Sequence, residues 1–336
     1  MKTTKNIVAL PLLLMAFVSC NNNSIVEKEV IELSLPEHGY ILFNTGVDSR
    51  GALIEDELTE NFHVLGYRYT STWETAKVQA KPEVFYKEDI VYNNGVHTYD
   101  PMQPWIGTQK YAFFAYYPIS DKLNASAVTY EGNPYVEYTL ASRTDPGALK
   151  DVMTAHVIDT DASARTVDFT MKHRLSAIDV IGRNFNNEEK SVAVSNLVIK
   201  FDNLLYDKVT IPLNFKDEPE LVVGDKLTGN AMKATYPLIS NSTITIPSGG
   251  AETLLSEDKT MIVIPQDTYL KGKYDITFRN EGGVEVTKID QALDMTCSIL
   301  SGRRYYIQLT FTQEDITVAI IQSEEWADEK IDHEFE

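Results

Sequence analysis

Cysteine is nearly missing from this chain of 336 residues: Cys20 and Cys297 are the two it has, which excludes the disulfide-stapled scaffolds of small secreted domains. Long apolar runs are missing too. The run from Ile7 to Ser19, interrupted by Pro11, is shorter than the roughly 20 residues a bilayer-crossing helix needs, and no later stretch is long enough either. Positive charge is in deficit, 30 Lys and Arg against 49 Asp and Glu for a net charge of -19. Such a surface repels a phosphate backbone, so no nucleic-acid partner is expected. With 17 Gly, 13 Pro and 43% hydrophobic residues, the composition is globular, neither collagenous nor disordered.

Catalytic and metal-binding motifs are also lacking. There is no His-Glu-x-x-His pair, no Gly-x-Ser-x-Gly elbow and no Gly-x-Gly-x-x-Gly after a strand. Gly224 and Gly229 have P-loop spacing, but Asn230 and Ala231 stand where Lys and Ser or Thr would meet phosphate and magnesium. Asp159 and Asp161 are spaced like the first ligands of a calcium loop, yet Ala164 replaces the glycine on which that loop turns, so a solvated turn is expected. The histidines His38, His63, His97, His156, His173 and His333 are dispersed. His173 continues the apolar face of Val167, Phe169 and Met171 and reads as a hydrogen-bonded core residue. Cys297 has no histidine beside it and reads as a small buried hydrophobe. No catalytic residue, metal site or cofactor is expected, and the chain reads as a non-enzyme.

What is present begins with an export signal. Lys2 and Lys5 precede the apolar run, and the small residue Ser19 stands directly before Cys20. Phe17-Val18-Ser19-Cys20 resembles a bacterial lipobox, in which the cysteine is acylated and becomes the mature N-terminus. Asn21-Asn22-Asn23-Ser24 then serves as a polar tether to an outer membrane, where a multiply acylated Cys20 holds stably.

The remainder reads as strand. Lys110 to Tyr117 ends at Pro118, Val167, Phe169 and Met171 alternate with Thr166, Asp168 and Thr170, and Tyr305, Ile307, Leu309 and Phe311 alternate likewise, each predicting one wet and one dry face. Asn94-Gly95 predicts a type I′ hairpin turn. Short helices are expected only around Ala52 to Asn61 and Pro146 to Met153. At 100 to 200 residues per domain, the length predicts about two domains, and many short strands predict tandem antiparallel β-sandwiches. The expected division is a signal peptide at 1–20, a propeptide with the first strand at 21–50, one sandwich at 51–164 and a second at 165–336.

Several segments in this order resemble the fimbrillin-like family of Bacteroidia, the subunits of type V pili. They are the lipobox Cys20, Asn61 to Tyr67, Tyr111 to Pro118, Asp151 to Ala155, Val167-Asp168-Phe169 leading into His173-Arg174-Leu175-Ser176-Ala177, Gly302 to Ile307, then Ile316-Thr317-Val318 and Trp326. The resemblance implies two transthyretin-like sandwiches exported as a lipoprotein. It also implies that a trypsin-like surface protease cuts away the first strand after an Arg or Lys, and that a neighbouring subunit's strand fills the groove. Here that strand would lie within Val30 to Asn44, with Ile31, Leu33 and Leu35 alternating and Tyr40, Leu42 and Asn44 continuing after a Pro36 to Gly39 turn. Cleavage would fall between Arg50 and Gly51, since Arg50 is the one basic residue of its Gly-, Asp- and Ser-rich loop. Ile316, Val318 and Ile320 are the expected donor residues, with Ala319 and Ile321 on the other face. The expected product is a stalk or tip subunit of an adhesive pilus. The alternative is a membrane-retained surface lipoprotein, either a pilus anchor or a glycan-binding module using Trp73, Trp105 and tyrosines as a platform.

Overall fold

The computed structural model describes residues 36–47, 58–120, 123–130, 133–140, 142–185, 190–204, 206–215, 232–266, 270–280, 282–295, 297–312 and 315–322. The fold is all-β, as the alternation predicted. The first strands are β1 (Leu42–Val47), β2 (Phe62–Tyr69), β3 (Phe85–Asn93), β4 (Val96–Thr98), β5 (Lys110–Tyr117), β6 (Leu123–Tyr130), β7 (Asn133–Thr139), β8 (Met153–Thr160) and β9 (Thr166–His173), with the short helix α1 (Trp73–Ala76) after β2. Seven of them close a barrel in the order β1-β4-β3-β2-β5-β8-β9. Asn94 and Gly95, at φ 52° and 84°, make the hairpin turn between β3 and β4, where Asn93 faces Val96. Around Pro146 the expected helix shrinks to a single 3-10 turn, Pro146–Ala148. The Asp145 carboxylate accepts from Gly147 N–H, and Leu149 is already extended.

Eleven more strands follow: β10 (Ser176–Asn184), β11 (Val192–Leu204), β12 (Lys208–Pro212), β13 (Met232–Ile239), β14 (Ile244–Ile246), β15 (Thr253–Leu254), β16 (Met261–Val263), β17 (Lys271–Arg279), β18 (Glu285–Asp294), β19 (Arg304–Phe311) and β20 (Ile316–Gln322). One sheet runs β15-β10-β19-β20 with β16 also on β10, and another runs β13-β11-β17-β18 with β14 also on β11. A three-stranded sheet, β12-β7-β6, takes two strands from before β9 and one from after it. Among the described residues the ladders are antiparallel except for two, β1 with β9 and β10 with β19.

β5 departs from the expected wet and dry faces, because every residue from Tyr111 to Tyr117 is buried. Phe113 and Ala115 belong to the barrel interior, whereas Ala112, Phe114 and Tyr116 join the larger core shared with Val136, Tyr138, Val209 and Ile211. A strand covered on both faces needs apolar residues at every position, which accounts for the unbroken run Tyr-Ala-Phe-Phe-Ala-Tyr-Tyr.

Three of the segments that carried the family resemblance, those around Asp151, His173 and Gly302, meet in this fold, whereas Cys20 and Trp326 lie outside the described residues. His173 Nδ1 bonds the Asp151 carboxylate, both being buried, so His173 is the hydrogen-bonded core residue its sequence position predicted. Next to it Gly302 N–H donates to Leu175 O at 2.8 Å, Ser301 Oγ to Arg174 O at 2.8 Å and Ala177 N–H to Arg303 O at 3.0 Å. Arg174 is fully buried beneath Phe215, with its guanidinium 4.4 Å from the ring centre. Burial lowers its pKa to about 9, which leaves it charged at neutral pH. Asp159 is less solvated than a free turn: its carboxylate accepts from Trp73 N–H at 2.8 Å and Tyr69 OH at 3.0 Å, and so holds the start of α1.

Candidate assembly interface

β1 is the strand that a cut at Arg50 would separate from the rest of the chain, and its seat is built mostly from side chains far away in sequence. Pro36 to Gly39 forms the expected turn, closed by Gly39 N–H donating to Pro36 O at 2.9 Å, with Gly39 at φ 74°. Ile41 N–H then donates to Gln103 O at 2.9 Å. Beyond it, six residues from Leu42 to Val47 lie in parallel register with Thr166 to Met171 of β9. Phe43 faces His97 of β4 on the other side.

The inward-facing set is shifted by one position from the expected Tyr40, Leu42 and Asn44. Ile41, Phe43 and Thr45 point inward and are buried, while Leu42 is 47% exposed and Asn44 faces solvent. A one-residue slip exchanges the two faces completely. The observed choice puts an isoleucine and a phenylalanine in the barrel and leaves Asn44 outside, where its Nδ2 donates to Asp168 Oδ1 at 2.9 Å. Burying Asn44 instead would strand an amide.

Phe43 sits in a cage of rings. Its centroid is 5.5 Å from Phe85, 5.7 Å from Tyr99, 5.8 Å from Phe113 and 5.6 Å from Phe169. Phe85 and Phe113 present themselves edge to face and Phe169 stacks, the arrangements ring quadrupoles favour. Tyr99 OH donates to Ile41 O at 2.8 Å. Burial pushes that hydroxyl up to about 12, so it keeps its proton at neutral pH. Thr45 Oγ1 donates to Leu58 O at 3.3 Å, giving the third inward residue a polar anchor. The cage was missed in the sequence because its members come from β3, β5, β9 and the loop after β4. The available signal was the Ile41-x-Phe43 alternation itself.

At the other end of the chain, β20 pairs antiparallel with β19, from Phe311 opposite Ile316 to Tyr305 opposite Gln322, and ends its sheet as an edge strand among the described residues. Ile316 is buried, and Val318 and Ile320 pack partly buried against the core. Thr317 and Ala319 face outward. Lys288 of β18 pairs with the Asp315 carboxylate, and Ile316 N–H donates to the same side chain at 2.8 Å, which pins the strand's entry. Cys20, Arg50 and Gly51 lie outside the described residues.

The features proposed for a glycan platform are placed elsewhere. Trp73 and Trp105 are 0% and 3% exposed and serve as core, Trp105 with its indole N–H on Arg165 O at 3.0 Å. Cys297 packs half-buried against the core, and desolvation pushes its thiol pKa up, away from the thiolate a nucleophile needs. Among the described residues, β1 is seated between β4 and β9, and β20 leaves one edge of its sheet without a partner strand.

A fimbrillin-like family model matches residues 56–326. Among solved structures, a fimbrial protein from Bacteroides vulgatus superposes with a TM-score of 0.62 at 18% identity, covering 85% of this chain and 99% of its own. A protein described as a candidate cell adhesion protein from Bacteroides ovatus gives 0.53 at 16% identity, covering 86% and 98%. A search of curated protein sequences returned no significant match. With four-fifths of its length under one family model and its fold shared with a fimbrial protein along nearly all of that protein, this chain belongs to the fimbrillin-like family.

Proposed function

We propose that this chain is a stalk or tip subunit of a cell-surface pilus, exported as an outer membrane lipoprotein on Cys20, cut between Arg50 and Gly51, and polymerised by donor-strand exchange. The supporting observation is that β1 falls between the two processing positions in sequence and fills a seat otherwise made by β4 and β9. Cutting after Arg50 releases the chain from its lipid and leaves β1 held by non-covalent contacts alone. Its departure exposes the ladder of β9 and the apolar seats of Ile41 and Phe43, each worth roughly 1.5 to 3 kcal/mol when filled. An incoming strand regains both the hydrogen bonds and the burial. β20, with Ile316, Val318 and Ile320 on its inner face, is the donor candidate near the C-terminus.

The test is the N-terminal sequence and mass of the protein sheared from producing cells, with gels run before and after boiling. Chains that begin at Gly51 and form heat-sensitive ladders establish processing and strand-exchanged polymers. Chains that all begin at acylated Cys20 and run as monomers overturn the stalk reading in favour of a retained anchor.

A further inference from the structure

We propose that the Phe43 cage is a specificity pocket, and that the strand which replaces β1 belongs to a different subunit, runs parallel to β9, and carries an aromatic side chain at the Phe43 position between a branched aliphatic and a small hydroxyl residue. This inference rests on the strand-exchange reading and goes beyond it by naming the donor's chemistry.

The strand now seated in the barrel defines what fits. Four rings surround the Phe43 position at 5.5 to 5.8 Å, and three of them, Phe85, Phe113 and Phe169, turn an edge or a face to accept a fifth ring. An aliphatic side chain there leaves part of the cage void and forfeits those ring contacts. Two residues earlier the seat holds Ile41, fully buried, and two residues later Thr45, whose hydroxyl reaches Leu58 O at 3.3 Å. The required inward sequence is therefore aliphatic, aromatic, hydroxyl.

Neither β20 nor the segment after Trp326 meets it. The inner face of β20 offers Ile316, Val318 and Ile320, and its outer face Thr317, Ala319 and Ile321, so neither frame contains a ring. The sequence after Trp326 contains Phe335, but placing Phe335 at the Phe43 position puts Glu336 at the Asn44 position. There Asn44 donates to Asp168 Oδ1, and a carboxylate would repel it instead. A second copy donating β20 or residues 326–336 is thus a poor fit for this groove, and the donor is assigned to another subunit.

The test uses the chain from residue 20 onward with Cys20→Ser, cut after Arg50 by an Arg-specific protease and checked by mass. Dye-labelled peptides are exchanged into the cut protein and followed by anisotropy. The peptides span residues 39–48, the same segment with Phe43→Ile, residues 315–323, and residues 326–336. Binding of the first, with each of the others at least ten-fold weaker, is the expected result. Equal binding of the 315–323 or 326–336 peptide, or no loss on Phe43→Ile, overturns the pocket while leaving strand exchange intact. Failure of every peptide, including residues 39–48, to enter the cut chain overturns both readings.

Discussion

The rings of Phe43 and Phe169 stack 5.6 Å apart and 9° from parallel, although the residue opposite Phe43 in the ladder is Val167. The contact is therefore diagonal across two parallel strands, within reach of aromatic side chains. It ties the first strand to a segment more than a hundred positions away in sequence. In the uncut chain Phe43→Ala should cost about 3 to 5 kcal/mol, the usual loss for a buried phenylalanine. Leu42→Ala, on the exposed face, should stay within about 0.5 kcal/mol. Denaturant unfolding of the two variants checks the register, and equal losses would reject it.

Gly302 is constrained by its backbone. It sits at φ 66°, and a Cβ added there would come within 3.1 Å of His173 O, while its N–H is committed to Leu175 O. A left-handed conformation costs an L-residue about 1 to 2 kcal/mol. Gly302→Ala should lower stability by at least that much. Gly39→Ala, at φ 74° with open space around it, should show the conformational cost alone. Comparing the two melting curves separates backbone strain from the clash with His173.

The strand content, the Asn94-Gly95 turn and the apolar face of Val167, Phe169 and Met171 were legible because each is a local pattern in a strand with one covered face. β5 misled because it is covered on both faces, by the barrel interior and by the larger core, and alternation says nothing about the second. The inward set of β1 was read one residue off because Tyr40, Leu42 and Asn44 alternate as regularly as Ile41, Phe43 and Thr45. What decides between them is the ring cage, assembled from distant strands. Trp73 and Trp105 could not be told apart from a surface platform by sequence alone, since a buried and an exposed aromatic look the same without their neighbours. The resemblance segments around His173 and Gly302 marked a junction whose purpose, a set of interlocking backbone bonds, only the folded chain displays.

Asp179 is buried, and its carboxylate is held by three side chains. Oδ1 accepts from Ser256 Oγ and Thr260 Oγ1, each at 2.8 Å, and Oδ2 lies 3.5 Å from Arg304 Nε. Breaking a buried ion pair by removing one partner typically costs about 3 to 5 kcal/mol, whereas replacing both with apolar residues is often neutral. Asp179→Leu alone should therefore be strongly destabilising, and Asp179→Leu with Arg304→Met should recover most of the loss. A double-mutant cycle reads the coupling directly. A double variant as unstable as the sum of the singles would show that the two groups do not act on each other.

His156 should make the fold sensitive to acid. Its ring lies between Phe114 and Phe215, the latter edge-on at 4.8 Å, and its Nδ1 has no hydrogen-bond partner among the described residues. Burial first, then the charges of Arg174 and Lys172, lower its pKa from 6.5 to about 4. Between those values the unfolded chain binds a proton that the folded chain refuses, so stability rises with pH across that window. The contribution is intact above pH 6.5, declines as pH falls toward 4, and is constant below. Replacing His156 with Phe keeps a ring between Phe114 and Phe215 and removes the titration. The melting temperature of His156→Phe should therefore fall less than that of the native chain between pH 6.5 and 4, while the two stay parallel above 6.5. Identical slopes across the window would show that other groups set the acid response.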